Sequence, residues 1–200
     1  MMLPQMSPKE ILIMEGILLS YGKHVDVLEW GSGGSTVYFT WFLKDKGVSY
    51  TWTSIEYNKI WYERISDMTK NDKNVSLTLF DVGSTSVKQP DIPMDEYVAY
   101  PSTLGKKYDV ILVDGRQRRR CLLEASKLLK PRGVVLLHDA RRTYYHSAFS
   151  VYPNSQMILW TGFWVGRVEN PGLIRRIINR AEYWCFRVYT FSFRFQLKLQ

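Results

Sequence analysis

The chain reads as an α/β protein, a mostly parallel sheet with helices on its faces and an antiparallel pair at its end. Three observations predict this. Strand-like and helix-like segments alternate from Ser7 onward. Tyr108-Asp109-Val110-Ile111-Leu112-Val113 reads as a strand buried in a parallel sheet. The last two strand signals are separated by Thr161-Gly162, too short a link for a crossover, so they pair antiparallel.

The elements follow in order. Ser7-Pro8-Lys9-Glu10 fits a capping box with proline in the first turn, opening a helix that runs to Leu19. Val25–Trp30 is a short strand entering a glycine turn, and Thr36–Lys46 is the helix after it, stopped by Gly47. Ser49–Glu56 is a strand, Lys59–Lys70 a helix and Val75–Asp81 a third strand. Val82–Lys107 holds Pro90, Pro93 and Pro101 and shows no sustained periodicity, so it reads as a long loop. Tyr97, Tyr100 and Pro101 would anchor it as a mobile lid over residues 84–104. After the strand to Asp114 come a helix over Arg118–Leu129, a turn at Lys130–Gly133 and a strand over Val134–Leu137 ending at His138-Asp139. A helix around Arg142–Phe149 leads to strands at Gln156–Trp160 and Phe163–Val168.

Residues 169–200 form a basic, aromatic C-terminal extension beyond a domain of residues 1–168. Leu173, Ile174, Ile177, Ile178, Ala181, Trp184, Cys185 and Val188 share one arc of a helix, with Arg175, Arg176, Arg180 and Arg187 opposite. Phe191 to Leu199 then alternate as a strand. The apolar arc packs on its own sheet, in a homodimer seam, or against a membrane surface.

Composition narrows the function. The chain has 200 residues, 46% hydrophobic and 23% charged, which suits a folded domain and excludes collagen-like, disordered and coiled-coil chains. It has no apolar run long enough to span a bilayer and no signal-peptide pattern. Two cysteines make neither a disulfide framework nor a zinc knuckle, so a reducing cytoplasm is expected. The net charge of +8 is uneven: residues 1–115 carry 11 Lys+Arg against 15 Asp+Glu, and residues 116–200 carry 16 against 4. Thirteen of the fourteen arginines lie from Arg116 on, which suits carboxylate, phosphate or lipid headgroups, or a merely solvated face. Trp30, Trp41, Trp52 and Trp61 do not cluster and read as core and ligand-shell packing rather than a base-stacking platform.

Glu29-Trp30-Gly31-Ser32-Gly33-Gly34-Ser35 joins a strand to a helix. Its glycines admit a ligand close to the backbone, and the helix start offers free N–H groups. Thr36 stands where the third glycine of a dinucleotide fingerprint would be, and Glu29 would repel a pyrophosphate. A ligand with a cationic end suits the turn better.

This acidic-x-Gly-x-Gly turn resembles the first motif of Rossmann-like (class I) S-adenosylmethionine-dependent methyltransferases, and the resemblance covers about residues 7–168. It implies a doubly wound sheet and a donor site of Glu29, Gly31, Ser32, Gly33, Gly34, Ser35, Glu56, Tyr57, Asp81, Val82 and Asp114. Within it, Glu56 would bind the ribose hydroxyls and Asp81 would lie near the adenine. Asp114, His138 and Asp139, at the ends of the fourth and fifth strands, would carry the chemistry, with His138 or Asp139 as general base and Asp114 orienting donor or acceptor. Their spacing resembles O-methyltransferases of the catechol and macrolide-sugar type, where such acids hold Mg²⁺. Asp114 and Asp139 are the metal candidates on that likeness, but His138 is a poor Mg²⁺ ligand. The bland alternative makes Asp139 a helix cap and His138 a satisfied buried histidine. Arg116, Arg141 and Tyr100 are expected at the acceptor, while Arg118–Arg120 read as a solvated helix face. The expected activity is O-methylation of a small-molecule or glycan acceptor that carries negative charge. RNA methylation, or a non-catalytic donor-binding or membrane-associated role, stays open.

Overall fold

The computed structural model describes residues 2–81 and 94–170. Val82, the start of the expected lid and the C-terminal helix and strand lie outside the described residues. The elements are α1 (Pro8–Leu19), β1 (His24–Trp30), α2 (Gly34–Asp45), β2 (Ser49–Glu56), α3 (Lys59–Thr69), β3 (Val75–Leu79), α4 (Asp95–Thr103), β4 (Tyr108–Val113), α5 (Arg118–Leu128), β5 (Leu129–Leu137), a 3₁₀ helix (Thr143–Val151), β6 (Asn154–Met157) and β7 (Trp164–Arg167). They build one seven-stranded sheet of order β3-β2-β1-β4-β5-β7-β6. Strands β1 to β5 run parallel, and β7 lies antiparallel between β5 and β6. The predicted α/β class, parallel sheet and terminal antiparallel pair are all present.

Alternation along the central strands builds two cores. Leu28 and Trp30 of β1 and Ile111 and Val113 of β4 join α5 and the 3₁₀ helix on one face. Val25, Val27, Val110 and Leu112 point the other way, onto Met14 and Leu18 of α1 and Phe39 and Leu43 of α2. With both faces covered, the strands need apolar residues at nearly every position, which is why they are legible as apolar runs. The order of strands reverses direction between β1 and β4, and the carboxyl ends of these two strands open a crevice there.

Four expectations are corrected. The stretch expected as a loop contains α4, and Tyr97, Val98 and Pro101, expected as lid anchors, are buried. Nine residues ending near an internal proline are too few for a helical period to stand out. Lys130–Gly133 is no separate turn but lies within β5. The register jumps there from Tyr108↔Leu129 to Val110↔Val134, and Arg132 takes φ +64°, so a bulge absorbs the surplus residues. The helix expected near Arg142–Phe149 is a 3₁₀ helix. The final pair is shorter than expected and is joined by Ile158–Phe163, with Trp160 at φ +64°. Among the described residues no helix is long and apolar enough to cross a membrane.

Candidate functional site

The glycine turn is held from below by Glu29. Its carboxyl group is fully buried and accepts from Ser35 Oγ, Thr36 Oγ1 (2.5 Å), Trp52 Nε1 (2.9 Å) and Ser54 Oγ (2.9 Å). Burial pushes its pKa up from 4.5 to about 7, against the pull of these four donors. All four are neutral groups, so none repays the charge that burial penalises. Glu29 therefore does not line the cavity above; it fixes the start of α2 to β2. Expected at the donor, Glu29 stands behind the turn, with both oxygens held by these four donors.

Gly31 follows with φ +97°, and a side chain there would meet the Gly115 backbone at 2.6 Å. Two glycines are thus needed to bring the ends of β1 and β4 into contact. At Gly34 an added Cβ would strike the Leu3 carbonyl oxygen at 2.0 Å, so residues 3 and 4 lie directly on the first turn of α2.

Above this floor is a cavity of about 360 Å³, within the range of cofactor pockets. It is lined by Gly31–Ser35, Glu56, Tyr57, Trp61, Asp114, Gly115, Arg116, Arg118, His138 and Asp139, with Met2, Leu3, Gln5 and Met6 as its N-terminal wall. Glu56 sits at the end of β2, 2% exposed. It accepts from Ser32 Oγ (3.0 Å) and from the backbone N–H groups of Tyr57 (3.0 Å) and Asn58 (2.8 Å). Burial raises its pKa against those three bonds. Arg116 lies over the Tyr57 ring, 5.4 Å from its centroid.

The far wall is a charged network. His138 Nδ1 lies 3.0 Å from Asp114 Oδ1, and Nε2 faces Glu10 Oε2 at 3.7 Å. Burial opposes a charge on His138, but the Asp114 hydrogen bond, with Asp139 and Glu10 nearby, outweighs it and raises the pKa above 6.5. Arg118 spans the two acids, 3.0 Å from Asp114 and 3.7 Å from Asp139, and donates to the carbonyls of Gly115 (2.9 Å) and His138 (2.6 Å). Its side chain is only 14% exposed, so it is no solvated helix residue. Arg119 lies over the Tyr144 ring, while Arg120 forms an exposed pair with Asp95 and keeps the expected solvated position.

His138 and Asp139 also line a second cavity of about 430 Å³, with Gln5, Ser7, Glu10, Arg141, Arg142, Trp160, Thr161 and Gly162. Arg141 donates to the Thr161 carbonyl from Nε (3.3 Å) and Nη2 (3.2 Å).

The structure thus gathers the glycine turn, Glu56, Tyr57, Asp114, Arg116, His138 and Asp139 around one cavity, and puts Arg141 in the adjoining one. Besides Glu29, it leaves two expected residues outside. Tyr100 packs on Phe80, with Thr78 Oγ1 donating to its hydroxyl (3.3 Å), because α4 turns it toward β3. Asp81, just beyond β3, is exposed and does not line either cavity. Sequence reasoning missed Glu10, which looked complete as a capping residue, and Arg118, whose three-arginine neighbourhood concealed it. The i, i+4 spacing of Asp114 and Arg118 was the available signal.

No family model matches the sequence, and no curated protein does. Solved structures do match. A protein described as a caffeoyl-CoA O-methyltransferase from Staphylococcus aureus aligns with 82% of this chain and 84% of its own, at TM-score 0.55 and 14% identity. The CMeT domain of the citrinin polyketide synthase aligns with 82% of this chain at TM-score 0.51 and 13% identity. This chain covers 58% of that one, less than two thirds of its length. At such identities the likeness is one of fold. The fold shared with them is Rossmann-like, as the resemblance of the glycine turn implied.

Proposed function

We propose that the chain is an S-adenosylmethionine-dependent methyltransferase acting on the oxygen of a small-molecule or glycan acceptor that carries negative charge. One observation carries this reading: a single cavity at the strand ends is lined by the glycine turn, by Glu56 and by the Asp114–His138 pair.

The residues fit the donor. Gly33 has open space where a Cβ would stand, and the start of α2 lies at the cavity floor, so a ligand can approach the backbone there. Glu56, fixed by three donors, presents a carboxylate suited to a ribose diol. Tyr57 and Trp61 offer aromatic faces for a purine. Bound there, such a donor supplies an electrophilic methyl group on a positive sulfur that departs as a neutral thioether.

The chain's own part is orientation and proton removal. Asp114 accepts the Nδ1 proton of neutral His138, which leaves Nε2, 3.7 Å from Glu10 Oε2, as the basic nitrogen of a residue that lines both cavities. Nε2 then takes the acceptor hydroxyl's proton as the new O–CH₃ bond forms. Asp139, at φ +55°, lies at the same junction beside Arg118. A divalent metal does not fit. Among the described residues no cluster of three His, Cys, Asp or Glu could hold one, and the Arg118 guanidinium already lies between Asp114 and Asp139.

Calorimetry with S-adenosylhomocysteine tests the proposal. Binding should be measurable in the intact chain, and Glu56→Ala should weaken it by about 2–3 kcal/mol through lost charge-assisted hydrogen bonds. Binding of NADH in preference to the sulfur nucleoside defeats the reading.

A further inference from the structure

Resting on that reading, we infer that the second cavity is the acceptor subsite and takes a sugar bearing an oxyanion, a carboxylate or a phosphate. Trp160 supplies the face on which the ring lies, and Arg142 grips the anion.

Position comes first. Among the described residues, this cavity shares only Gln5, His138 and Asp139 with the one above the glycine turn. A hydroxyl group reaching from it toward the junction arrives at the imidazole that would take its proton.

The lining selects the class of molecule. Gln5 can exchange hydrogen bonds with hydroxyls of a ligand, while the Ser7 and Thr161 hydroxyls are bonded to Glu10 and to the Ile158 carbonyl. Among the described residues, Trp160 is the one large apolar side chain in the wall. A pyranose, apolar on its faces and polar around its rim, matches one aromatic platform in an otherwise polar chamber.

Trp160 is held there at a cost. Its side chain is 72% exposed and its backbone is left-handed at φ +64°, a region bulky residues avoid. The loop around it is nonetheless pinned. Lys9 Nζ donates to the Leu159 carbonyl (3.0 Å), Thr161 Oγ1 to the Ile158 carbonyl (2.8 Å) and the Gly162 N–H to Glu10 (2.5 Å). A strained, exposed, firmly anchored tryptophan at a cavity mouth is arranged for contact with a ligand.

The electrostatics select an anion. Glu10 is 4% exposed and accepts from Ser7 N, Ser7 Oγ and Gly162 N, neutral donors that hold the carboxylate in place without cancelling its charge. Asp139 faces Arg118 at 3.7 Å. Arg141 is engaged by the Thr161 carbonyl. Arg142 pairs with Asp139 at the same 3.7 Å, and with a side chain 66% exposed it still presents its guanidinium to the mouth. Its planar fork is the group at this mouth suited to a carboxylate or phosphate.

The test uses the intact chain with three probes, methyl glucuronoside, glucose 6-phosphate and methyl glucoside. Binding is followed by calorimetry and tryptophan fluorescence, with and without S-adenosylhomocysteine. At least one anionic sugar should bind ~10-fold or more tightly than the neutral glucoside, and added salt should shrink the difference. The tighter anionic probe identifies the oxyanion. Arg142→Gln should abolish the preference, and Trp160→Gly should weaken all sugar binding ~10-fold or more. Trp160→Gly also relieves the backbone, so a lost ligand cannot be put down to lost folding, and the urea midpoint checks this. Equal binding of all three probes, no binding of any, or wild-type affinity in both variants overturns the inference. Failure of S-adenosylhomocysteine to bind would defeat the methyltransferase proposal separately, since sugar binding is also read without it.

Discussion

Glu29 is a carboxyl group enclosed by neutral donors, so its proton should be readable in the stability of the protein. Its pKa rises from 4.5 to about 7 on folding, which at about 1.4 kcal/mol per unit makes about 3 kcal/mol. The folded state holds this proton more tightly than the unfolded chain does. The resulting stability is complete below the unfolded value and is lost as pH rises from about 4.5 through about 7. Glu29→Gln removes the titration while keeping the shape. Trp52 can only donate, so the amide oxygen takes the place of Oε2, which also receives Thr36 and Ser54. The amide NH₂ then faces Ser35, whose hydroxyl turns to accept. Urea unfolding of both proteins at about pH 4.5 and about pH 8 measures the effect. The variant should gain about 3 kcal/mol on wild type between those two conditions. His138, with its raised pKa, also stabilises the fold below 6.5 and stops doing so above its folded value. It is present in both proteins and cancels in the comparison. A difference that stays flat across the range, within about 1 kcal/mol, would refute the account of Glu29 as a buried acid without a cationic partner.

Other outcomes follow from the same geometry. Gly31→Ala should cost about 3 kcal/mol or more, seen as a fall in melting temperature, because its Cβ meets rigid Gly115 backbone at a positive φ. The His138 imidazole, followed by NMR, should titrate above 6.5, and Asp114→Asn should bring it down; an unchanged midpoint would remove Asp114 as its orienting partner. Calorimetric titration with Mg²⁺ should show no site tighter than about 1 mM, since Arg118 occupies the place between the acids.

The alternation of strands and helices, the antiparallel end and the glycine turn were legible because each is written in neighbouring residues. Backbone sterics, capping chemistry and two-sided burial act over a few positions, and their marks survive in a string such as Tyr108–Val113 or Ser7–Glu10. That Glu56, Asp114 and His138 would come together around one cavity was legible too, because the ends of parallel strands lie at one edge of the sheet. Helix α4 was hidden because nine residues with an internal proline carry too little period, and its formation rests on burying Tyr97 and Val98 against the sheet. Only the tertiary structure decided what each charged group spends its bonds on. Glu29 faces Trp52 and Ser54 across 23 and 25 residues of chain, Glu10 reaches Gly162 across 152, and Arg118 bridges strands β4 and β5. A carboxylate or guanidinium reads the same in any sequence, and its partners, burial and pKa exist only once distant segments have packed around it.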